Sequence, residues 1–195
     1  TVEQLGTGAT ERRVGERVAI GWLGSACGAC RYCVDGRETL CESQQNSGYS
    51  VDGAFAEYAV AAAAYVVPVP DGVSSEDAET VVVNGVTAWQ MLHRAAKVAP
   101  GATVLVFGAN GGVGGILVQL AQHHGVRVIG AASPRHHEAL RQAGVEPVDY
   151  ADPDLAARVR ELAPGGVDAV FDNIGGAMTR TAWSLLAPGG TLVSY

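Results

Sequence analysis

The sequence predicts an α/β fold in two parts: a mainly β part over residues 1–98 and a doubly wound parallel sheet over residues 99–195. Three observations lead to this prediction. Short runs rich in β-branched and aromatic residues, bounded by Gly, Pro or Asp, fill the first part. Strand-like and helix-like segments alternate in the second part, and a glycine-rich turn follows its first strand-like segment. The turn at Pro100-Gly101 separates the two parts.

Composition and charge narrow the classes of protein. With 195 residues, of which 48% are hydrophobic, the chain can bury a sizeable core. Its net charge of -7 and the scattered positions of its 13 Lys and Arg argue against a nucleic-acid partner. No apolar run is long enough for a membrane span, and the first residues lack the pattern of a signal peptide. We therefore expect a cytoplasmic protein without a membrane partner.

The two ends of the chain suggest a fragment. The first residue is Thr rather than Met, and the last five residues, TLVSY, have the pattern of a strand with nothing after it. We therefore expect the β part to be incomplete and the sheet to lack its last strand.

The first part is predicted to contain short strands followed by helices. The segments ERVAIGW, GAFAEYAVA and AYVVPVP have strand composition, and the alanine-rich run 59–65 suits an edge strand or a turn. Helical structure is predicted from Ser74, which with Asp77 has the spacing of a capping box. A second helix is predicted over Thr87–Lys97, before the Pro100-Gly101 turn.

The second part is predicted to be a series of right-handed βαβ units. Its five strand segments are TVLVFG, VRVIGAA, PVDY, VDAVFDN and TLVSY. Helices are predicted between them, at the apolar spacing of Val113–Ala121 and over HHEALRQAG, DLAARVRELA and MTRTAWSLLA. Strands that alternate with helices in this way form a parallel sheet covered on both faces.

All the cysteines of the chain lie in one short stretch, at Cys27, Cys30, Cys33 and Cys41. Disulfides are rare in a reducing cytoplasm, and a redox-active Cys-x-x-Cys pair opens a helix after a strand, whereas this stretch has the glycines of a loop. Four thiolates with short spacers favour a tetrahedral zinc site, and the longer last spacer lets the chain turn back to close it. Because a closed site leaves no position for substrate, we expect this zinc to be structural.

The glycine-rich turn GANGGVGG follows the first strand of the second part and leads into a helix. Its candidate ligand-binding residues are Gly108, Ala109, Asn110, Gly111, Gly112, Val113 and Gly114. A strand before, an amphipathic helix after and a second strand further on are the context of a dinucleotide site. Gly111 would let a pyrophosphate approach the backbone, and Gly114 would let the helix pack closely. The alternative is a glycine-rich turn that binds nothing.

The end of the second strand bears on the choice between NAD and NADP. NAD-preferring sites carry an acid there, whereas this chain has Ser133 and Arg135. A hydroxyl and a guanidinium suit the 2′-phosphate of NADP, so we expect NADP, with NAD as the alternative. Arg135 would equally suit a solvated helix start. Adjacent histidines do not share a helix face, so the pairs His123-His124 and His136-His137 are each expected to be a solvated helix end.

These motifs together resemble the medium-chain dehydrogenase/reductase superfamily. The stretch from RVAIGWLG to GAFAEY resembles zinc-dependent alcohol dehydrogenases, in which the matching four cysteines hold structural zinc. The segments VVVNGVTAWQML, VLVFGANGGVGGILVQLAQ and VDAVFDNIGG are more similar to the zinc-independent quinone reductase branch. The resemblance implies a partial GroES-like catalytic lobe followed by a Rossmann domain, and homodimers or homotetramers of the full-length protein.

The resemblance also implies roles for particular residues. Thr87 should approach the nicotinamide, and Asn173 with its neighbours Asp172 and Ile174 should line the cofactor cleft. Asp172 would equally suit a solvated strand end. The Asn84-Gly85 pair, which alone would suit a hairpin turn, is placed at a helix start near the nicotinamide.

One position departs from the pattern of the zinc alcohol dehydrogenases. Val83 stands where their third ligand to the catalytic zinc is expected, and valine cannot coordinate zinc. No catalytic residue is assigned, and no hydrolase arrangement is found. The leading interpretation is an NAD(P)-dependent alcohol dehydrogenase that acts on a small molecule. The alternatives are a zinc-independent NADPH quinone or enone reductase, and a noncatalytic nucleotide-binding fragment.

Overall fold

The computed structural model describes all 195 residues, which form two compact units, Thr1–Val83 and Asn84–Tyr195. This division comes before the 98/99 boundary that the Pro100-Gly101 turn suggests. The difference arises because the helical residues after Asn84 pack with the second unit. Ala88, Met91 and Leu92 are buried in the same apolar cluster as residues of its central strand.

The first unit contains two small antiparallel sheets. One pairs β1 (Val18–Ile20) with β4 (Val66–Pro68), and the other pairs β2 (Leu23–Ser25) with β3 (Gln45–Asn46). A short helix α1 (Arg31–Val34) and a 3₁₀ turn (Glu38–Leu40) lie between β2 and β3.

The strand predicted over GAFAEYAVA is wrong. Residues 53–61 are exposed and form no ladder, and the alanine-rich run ends in a 3₁₀ turn at Ala63–Tyr65. Strand composition alone is insufficient here, because a strand also requires a neighbour that pairs with its backbone.

Helical structure begins where the capping signal places it. Ser74 caps α2 (Ser75–Thr80), since its Oγ accepts a hydrogen bond of 3.0 Å from the Asp77 amide. The Ser74 hydroxyl donates to Asp77 Oδ2 at 2.8 Å, and no bond from the Ser74 amide to this carboxylate is present, so half of the capping box forms. None of the helices in the chain is long and apolar enough to span a bilayer.

The chain continues helically from one unit into the next. A π-helical turn (Val81–Gly85), α3 (Val86–Gln90) and a second π-helical turn (Met91–Ala95) follow one another without a break. The helix predicted over 87–97 is therefore present.

The second unit is a five-stranded parallel sheet, as the alternating pattern predicts. Its strands are β5 (Thr103–Phe107), β6 (Arg127–Ala132), β7 (Glu146–Asp149), β8 (Val167–Asp172) and β9 (Leu186–Ser194), in the order β7-β6-β5-β8-β9. The helices are α4 (Gly112–His123), α5 (His137–Gln142), α6 (Leu155–Leu162) and α7 (Ala177–Ser184). Because the strand order reverses between β5 and β8, their carboxyl ends border a crevice, where ligands bind in sheets of this type.

One boundary in the sheet differs from the prediction. β9 begins at Leu186 and includes residues that the sequence assigns to the preceding helix. Leu186 pairs with Val167, and the ladder then shifts register before Thr191 pairs with Ala169. Pairing with β8 therefore outweighs the local helical pattern.

Two apolar clusters hold the second unit together, one on each face of the sheet. Val104 and Val106 of β5 belong to the cluster with Leu117 of α4. Leu105 and Phe107 belong to the other, and all four side chains are fully buried. Successive side chains of β5 thus point to opposite faces, as in a central strand that is covered on both faces. This packing fixes the position of the carboxyl end of β5 at the crevice.

Candidate functional site

The glycine-rich turn joins the central strand β5 to the long helix α4. Gly108 has φ +65°, in the left-handed region that glycine tolerates, and it turns the chain away from the strand. The Gly111 amide donates to the Gly108 carbonyl at 2.8 Å, and Gly111 is the N-cap of α4. The first amides of a helix have no partner within it, so this turn presents donors at the positive end of the helix dipole.

Gly114 sets how closely α4 approaches the strand end. A Cβ at this position would overlap the Gly108 carbonyl oxygen and would lie 3.2 Å from the Ala109 Cα. Only the absence of a side chain allows this backbone contact. At Gly111 a Cβ would lie 3.1 Å from the same carbonyl oxygen, so this position is also tight.

Two asparagine side chains border the turn. A Cβ at Gly108 would lie 3.0 Å from Asn173 Nδ2, which places the Asn173 amide directly beside the start of the turn. A Cβ at Gly112 would lie 2.9 Å from Asn84 Nδ2. Sequence reasoning did not include Asn84 among the site residues. Its only signal was the resemblance that places Asn84-Gly85 near the nicotinamide.

Ser133 and Arg135 follow the end of β6, next to β5. Ala131 pairs with Phe107, so the two strands end at the same edge of the sheet. Ser133 is the N-cap of a 3₁₀ turn (Pro134–His136), and Arg135 is exposed. Its Nε donates to His136 Nε2 at 3.0 Å.

The histidine pairs are only partly solvated. His123 is exposed, as expected, but His124 is half-buried with its ring 4.9 Å from that of His93. His137 is also half-buried, and its Nε2 lies 2.9 Å from the Ala132 carbonyl oxygen. The rings of His124 and His137 therefore have separate partners.

Asp172, at the end of β8, is fully buried, so its interpretation as a solvated acid is wrong. Its Oδ1 accepts from the amides of Ile174 (2.9 Å) and Gly175 (3.2 Å), and its Oδ2 accepts from the Thr179 hydroxyl (2.6 Å). Burial opposes ionisation of the carboxyl group. The hydrogen bonds from Thr179 and the two amides outweigh it and hold the pKa of Asp172 below its usual range.

Val83 and Thr87, both singled out by resemblance, lie in different units. Val83 belongs to the first unit, is 43% exposed, and lines a cavity of about 630 Å³ together with Val18, Ile20 and Val82. Thr87 is half-buried in α3 of the second unit. The Val83 side chain offers no metal ligand and no proton to this cavity.

The four cysteines converge in the first unit. All are free thiols, and their sulfur atoms lie within 4.8 Å of one another. Cys27 and Cys33 Sγ are 3.8 Å apart, and Cys30 and Cys33 Sγ are 3.5 Å apart. The first turn of α1, which follows Cys30, brings the three nearest in sequence together.

The cysteine thiols do not ionise equally. Hydrogen bonds from the backbone amides of Ala29 and Cys30 lower the pKa of Cys27 to about 6. Desolvation, with a further contribution from neighbouring thiols, raises the pKa of Cys33 to about 12. A divalent cation would relieve the mutual repulsion of the thiolates.

The donor set fits zinc. Sulfur atoms at the corners of a tetrahedron with bonds of about 2.3 Å lie about 3.8 Å apart, close to the two separations above. Four sulfur ligands complete the coordination of a closed structural site.

The class of protein follows from these features and from two family matches. Residues 1–71 match the family described as alcohol dehydrogenase GroES-like domain, and residues 112–195 match the one described as zinc-binding dehydrogenase. The chain belongs to the medium-chain dehydrogenase/reductase superfamily. The predicted GroES-like lobe followed by a Rossmann-like parallel sheet is confirmed.

The relatives of this chain include both alcohol dehydrogenases and a quinone oxidoreductase. An alcohol dehydrogenase from Geobacillus stearothermophilus is 41% identical over 194 residues, which are 98% of this chain and 57% of that protein. A crystal structure of an NAD-dependent alcohol dehydrogenase has a TM-score of 0.86 at 34% identity, covering 93% of this chain and 54% of that one. A quinone oxidoreductase from Pseudomonas syringae pv. Tomato has a TM-score of 0.78 at 29% identity, covering 99% and 52%. This chain therefore spans little more than half the length of each.

The close approach at Gly114 can be tested with a matched pair of neighbours. We expect Gly114→Ala to lower the free energy of unfolding by about 1–3 kcal/mol, because the new methyl group overlaps the Gly108 carbonyl. At Gly115 a Cβ would lie 3.8 Å from the nearest atom, the Ala109 carbonyl oxygen. Gly115→Ala should therefore leave stability unchanged or raise it by up to about 1 kcal/mol. Chemical denaturation measures both, and equal effects would contradict the close contact.

Proposed function

We propose that this chain is part of an NAD(P)-dependent oxidoreductase that transfers hydride between a nicotinamide and a small alcohol or carbonyl substrate. The observation that carries the proposal is the glycine turn at the carboxyl end of β5, beside the point where the strand order reverses. The names of the relatives above support the same class of reaction. When bound, the dinucleotide supplies the hydride or accepts it.

In this proposal the turn holds the pyrophosphate of the dinucleotide. The backbone amides of Gly112, Val113 and Gly114 donate to phosphate oxygens at the helix start, and the glycines leave space for them. Ala109 is buried behind the turn and Asn110 is exposed at its tip. Asn173 and Thr87 are assigned to the nicotinamide side by the family resemblance, and the position of Asn173 beside Gly108 supports its assignment.

The choice of dinucleotide is proposed from the end of β6. The exposed guanidinium of Arg135 and the half-buried Ser133 suit the 2′-phosphate of NADP. No acidic side chain stands between Ala132 and His137 to bind the free ribose hydroxyls of NAD. NADP is therefore proposed as the preferred cofactor, with NAD as the alternative.

A second candidate function rests on Val83. Valine cannot hold a metal that polarises a carbonyl, so a quinone or enone reductase that works without catalytic zinc fits this position better. The similarity to a solved quinone oxidoreductase supports this candidate. A third candidate, a nucleotide-binding chain without catalysis, would bind the dinucleotide and turn over nothing.

The three candidates separate in one assay. The purified chain is mixed with NADPH or NADH. Aldehydes are added to one set of samples, and quinones or enones to the other, and the loss of absorbance of the reduced nicotinamide is followed. Oxidation by aldehydes favours the alcohol dehydrogenase, and oxidation by quinones or enones favours the reductase. Binding without oxidation leaves the noncatalytic candidate. Absence of dinucleotide binding, measured by fluorescence titration, would refute the proposed function itself.

The proposed role of Arg135 predicts a change in cofactor preference. We expect Arg135→Ala to weaken NADPH binding about tenfold, because a charge-assisted pair to the 2′-phosphate is lost, and to leave NADH binding nearly unchanged. Arg141→Ala is the control, since Arg141 is also exposed but pairs with Glu138 on the side of α5. Fluorescence titration with both nucleotides measures the effect, and equal weakening of both would contradict the assignment.

The cysteine cluster is proposed to hold one structural zinc through Cys27, Cys30, Cys33 and Cys41. Elemental analysis should find one zinc per chain, and Cys33→Ser should lose it, whereas Thr39→Ser in the same loop should keep it. Because the loop between β2 and β3 has little apolar packing of its own, removal of the metal by a chelator should also lower the melting temperature. A chain purified without zinc, and unaffected by added zinc, would contradict the site.

Two further statements stay predictions from the sequence. The location is expected to be cytoplasmic, and the family resemblance implies a homodimer or homotetramer.

A further inference from the structure

A buried carboxylate lies next to the proposed cofactor site without facing it. Asp172 ends β8, the strand beside β5, and none of its surface is exposed. A carboxylate removed from water is unfavourable unless hydrogen bonds replace its hydration. The three hydrogen bonds to its carboxylate all come from the segment that follows it.

These hydrogen bonds determine the shape of the turn between β8 and α7. The two amide bonds to Oδ1 fold residues 173–175 back over the strand end, and the hydroxyl bond from Thr179 ties the same carboxylate to α7. Gly175 (φ +80°) and Gly176 (φ +60°) complete the turn in the left-handed region. Glycines there have little conformational preference of their own, so the carboxylate supplies the restraint.

The residue enclosed by this restraint is Asn173. It is exposed, yet its amide lies directly beside Gly108 at the start of the glycine turn. The position of Asn173 therefore depends on the hydrogen bonds to Asp172. The next residue, Ile174, donates its backbone amide to Asp172 Oδ1 at 2.9 Å, and this bond fixes the peptide that follows Asn173.

We propose that Asp172 is a positioning residue for dinucleotide binding, which acts by holding Asn173 beside the glycine turn and does not itself touch the ligand. The proposal rests on the proposed function, since it requires that a dinucleotide binds at this crevice. It also specifies which half of the dinucleotide should lose affinity. Loss of the carboxylate should weaken binding of the part of the ligand that reaches the β5–β8 crevice and spare the adenosine part, which the end of β6 receives.

The test compares two ligands on the 195-residue chain. NADPH carries both halves of the dinucleotide, whereas adenosine 2′,5′-bisphosphate lacks the nicotinamide half. Asp172→Ala should weaken NADPH binding on the order of tenfold and change bisphosphate binding less than about twofold. Asp172→Asn keeps one acceptor oxygen for the two amides and should give an intermediate loss, about threefold.

Asp149 provides the matched control. It also ends a strand of the sheet, and its Oδ1 accepts from the Ala151 amide at 2.9 Å, but β7 lies two strands away from β5. Asp149→Ala should leave the affinities for both ligands as they are in the unaltered chain. Melting temperatures measured on the same samples report any loss of stability separately from affinity.

The outcomes distinguish this inference from the proposed function. If the unaltered chain binds neither NADPH, NADH nor the bisphosphate, the proposed function fails, and the inference with it. If it binds NADPH and Asp172→Ala binds equally well, the function stands and the inference is overturned. Equal weakening of both ligands would overturn it too, since Asp172 would then be merely structural. Should Asp172→Ala fail to fold, unchanged NADPH binding by Asp172→Asn would overturn it.

Discussion

The second unit depends on one backbone contact, the approach of Gly114 in α4 to the Gly108 carbonyl at the end of β5. Because the helix backbone comes this close to the strand end, α4 starts directly after β5 and its first amides point into the crevice. The neighbouring strands are arranged around the same point. β6 brings Ser133 to one side of the turn, and β8 brings Asn173 to the other. A side chain at Gly114 would move the helix away and separate these groups.

The first unit shows a different way to hold a lobe. Its strands are short and its two sheets have two strands each, so little apolar surface is buried in them. In the loop from Cys27 to Cys41, four sulfur atoms converge at the place where a larger lobe would have a hydrophobic core to stabilise it. Four ionised thiols whose sulfur atoms lie within 4.8 Å of one another repel each other when no opposite charge is present. The arrangement is favourable in the presence of a cation, which is the physical reason to assign it to a metal.

The sequence was informative where the structure depends on local pattern. The strand β5 and the helix α4 follow from the short apolar run of residues 103–107 and the helical spacing of Val113–Ala121, because a strand buried on both faces is apolar throughout and an amphipathic helix has a period of its own. Prediction failed where the outcome depends on a partner. Residues 53–61 have strand composition but no neighbouring strand, and the start of β9 is decided by pairing with Val167. The burial of Asp172 was not predicted, because the hydrogen bonds that replace its hydration come from two amides and a hydroxyl that form no recognisable sequence pattern. The contact of Asn84 with the turn joins segments distant in sequence, and the family resemblance was its only signal.

The mixed resemblance of the chain, with a zinc loop of the alcohol dehydrogenase kind and a second half nearer to the quinone reductases, involves no physical contradiction. A cage of four cysteines is coordinatively complete, so it gives a lobe its shape and offers nothing to a substrate. The cage therefore carries no information about how a carbonyl or an alkene would be activated. The family resemblance assigns that information to positions such as Val83, where a ligand would make the zinc reaction possible and an aliphatic side chain would require another source of polarisation. The four-cysteine loop, which is the stronger of the two zinc-related signals in the chain, thus concerns stability. The valine at position 83 carries more weight for the chemistry.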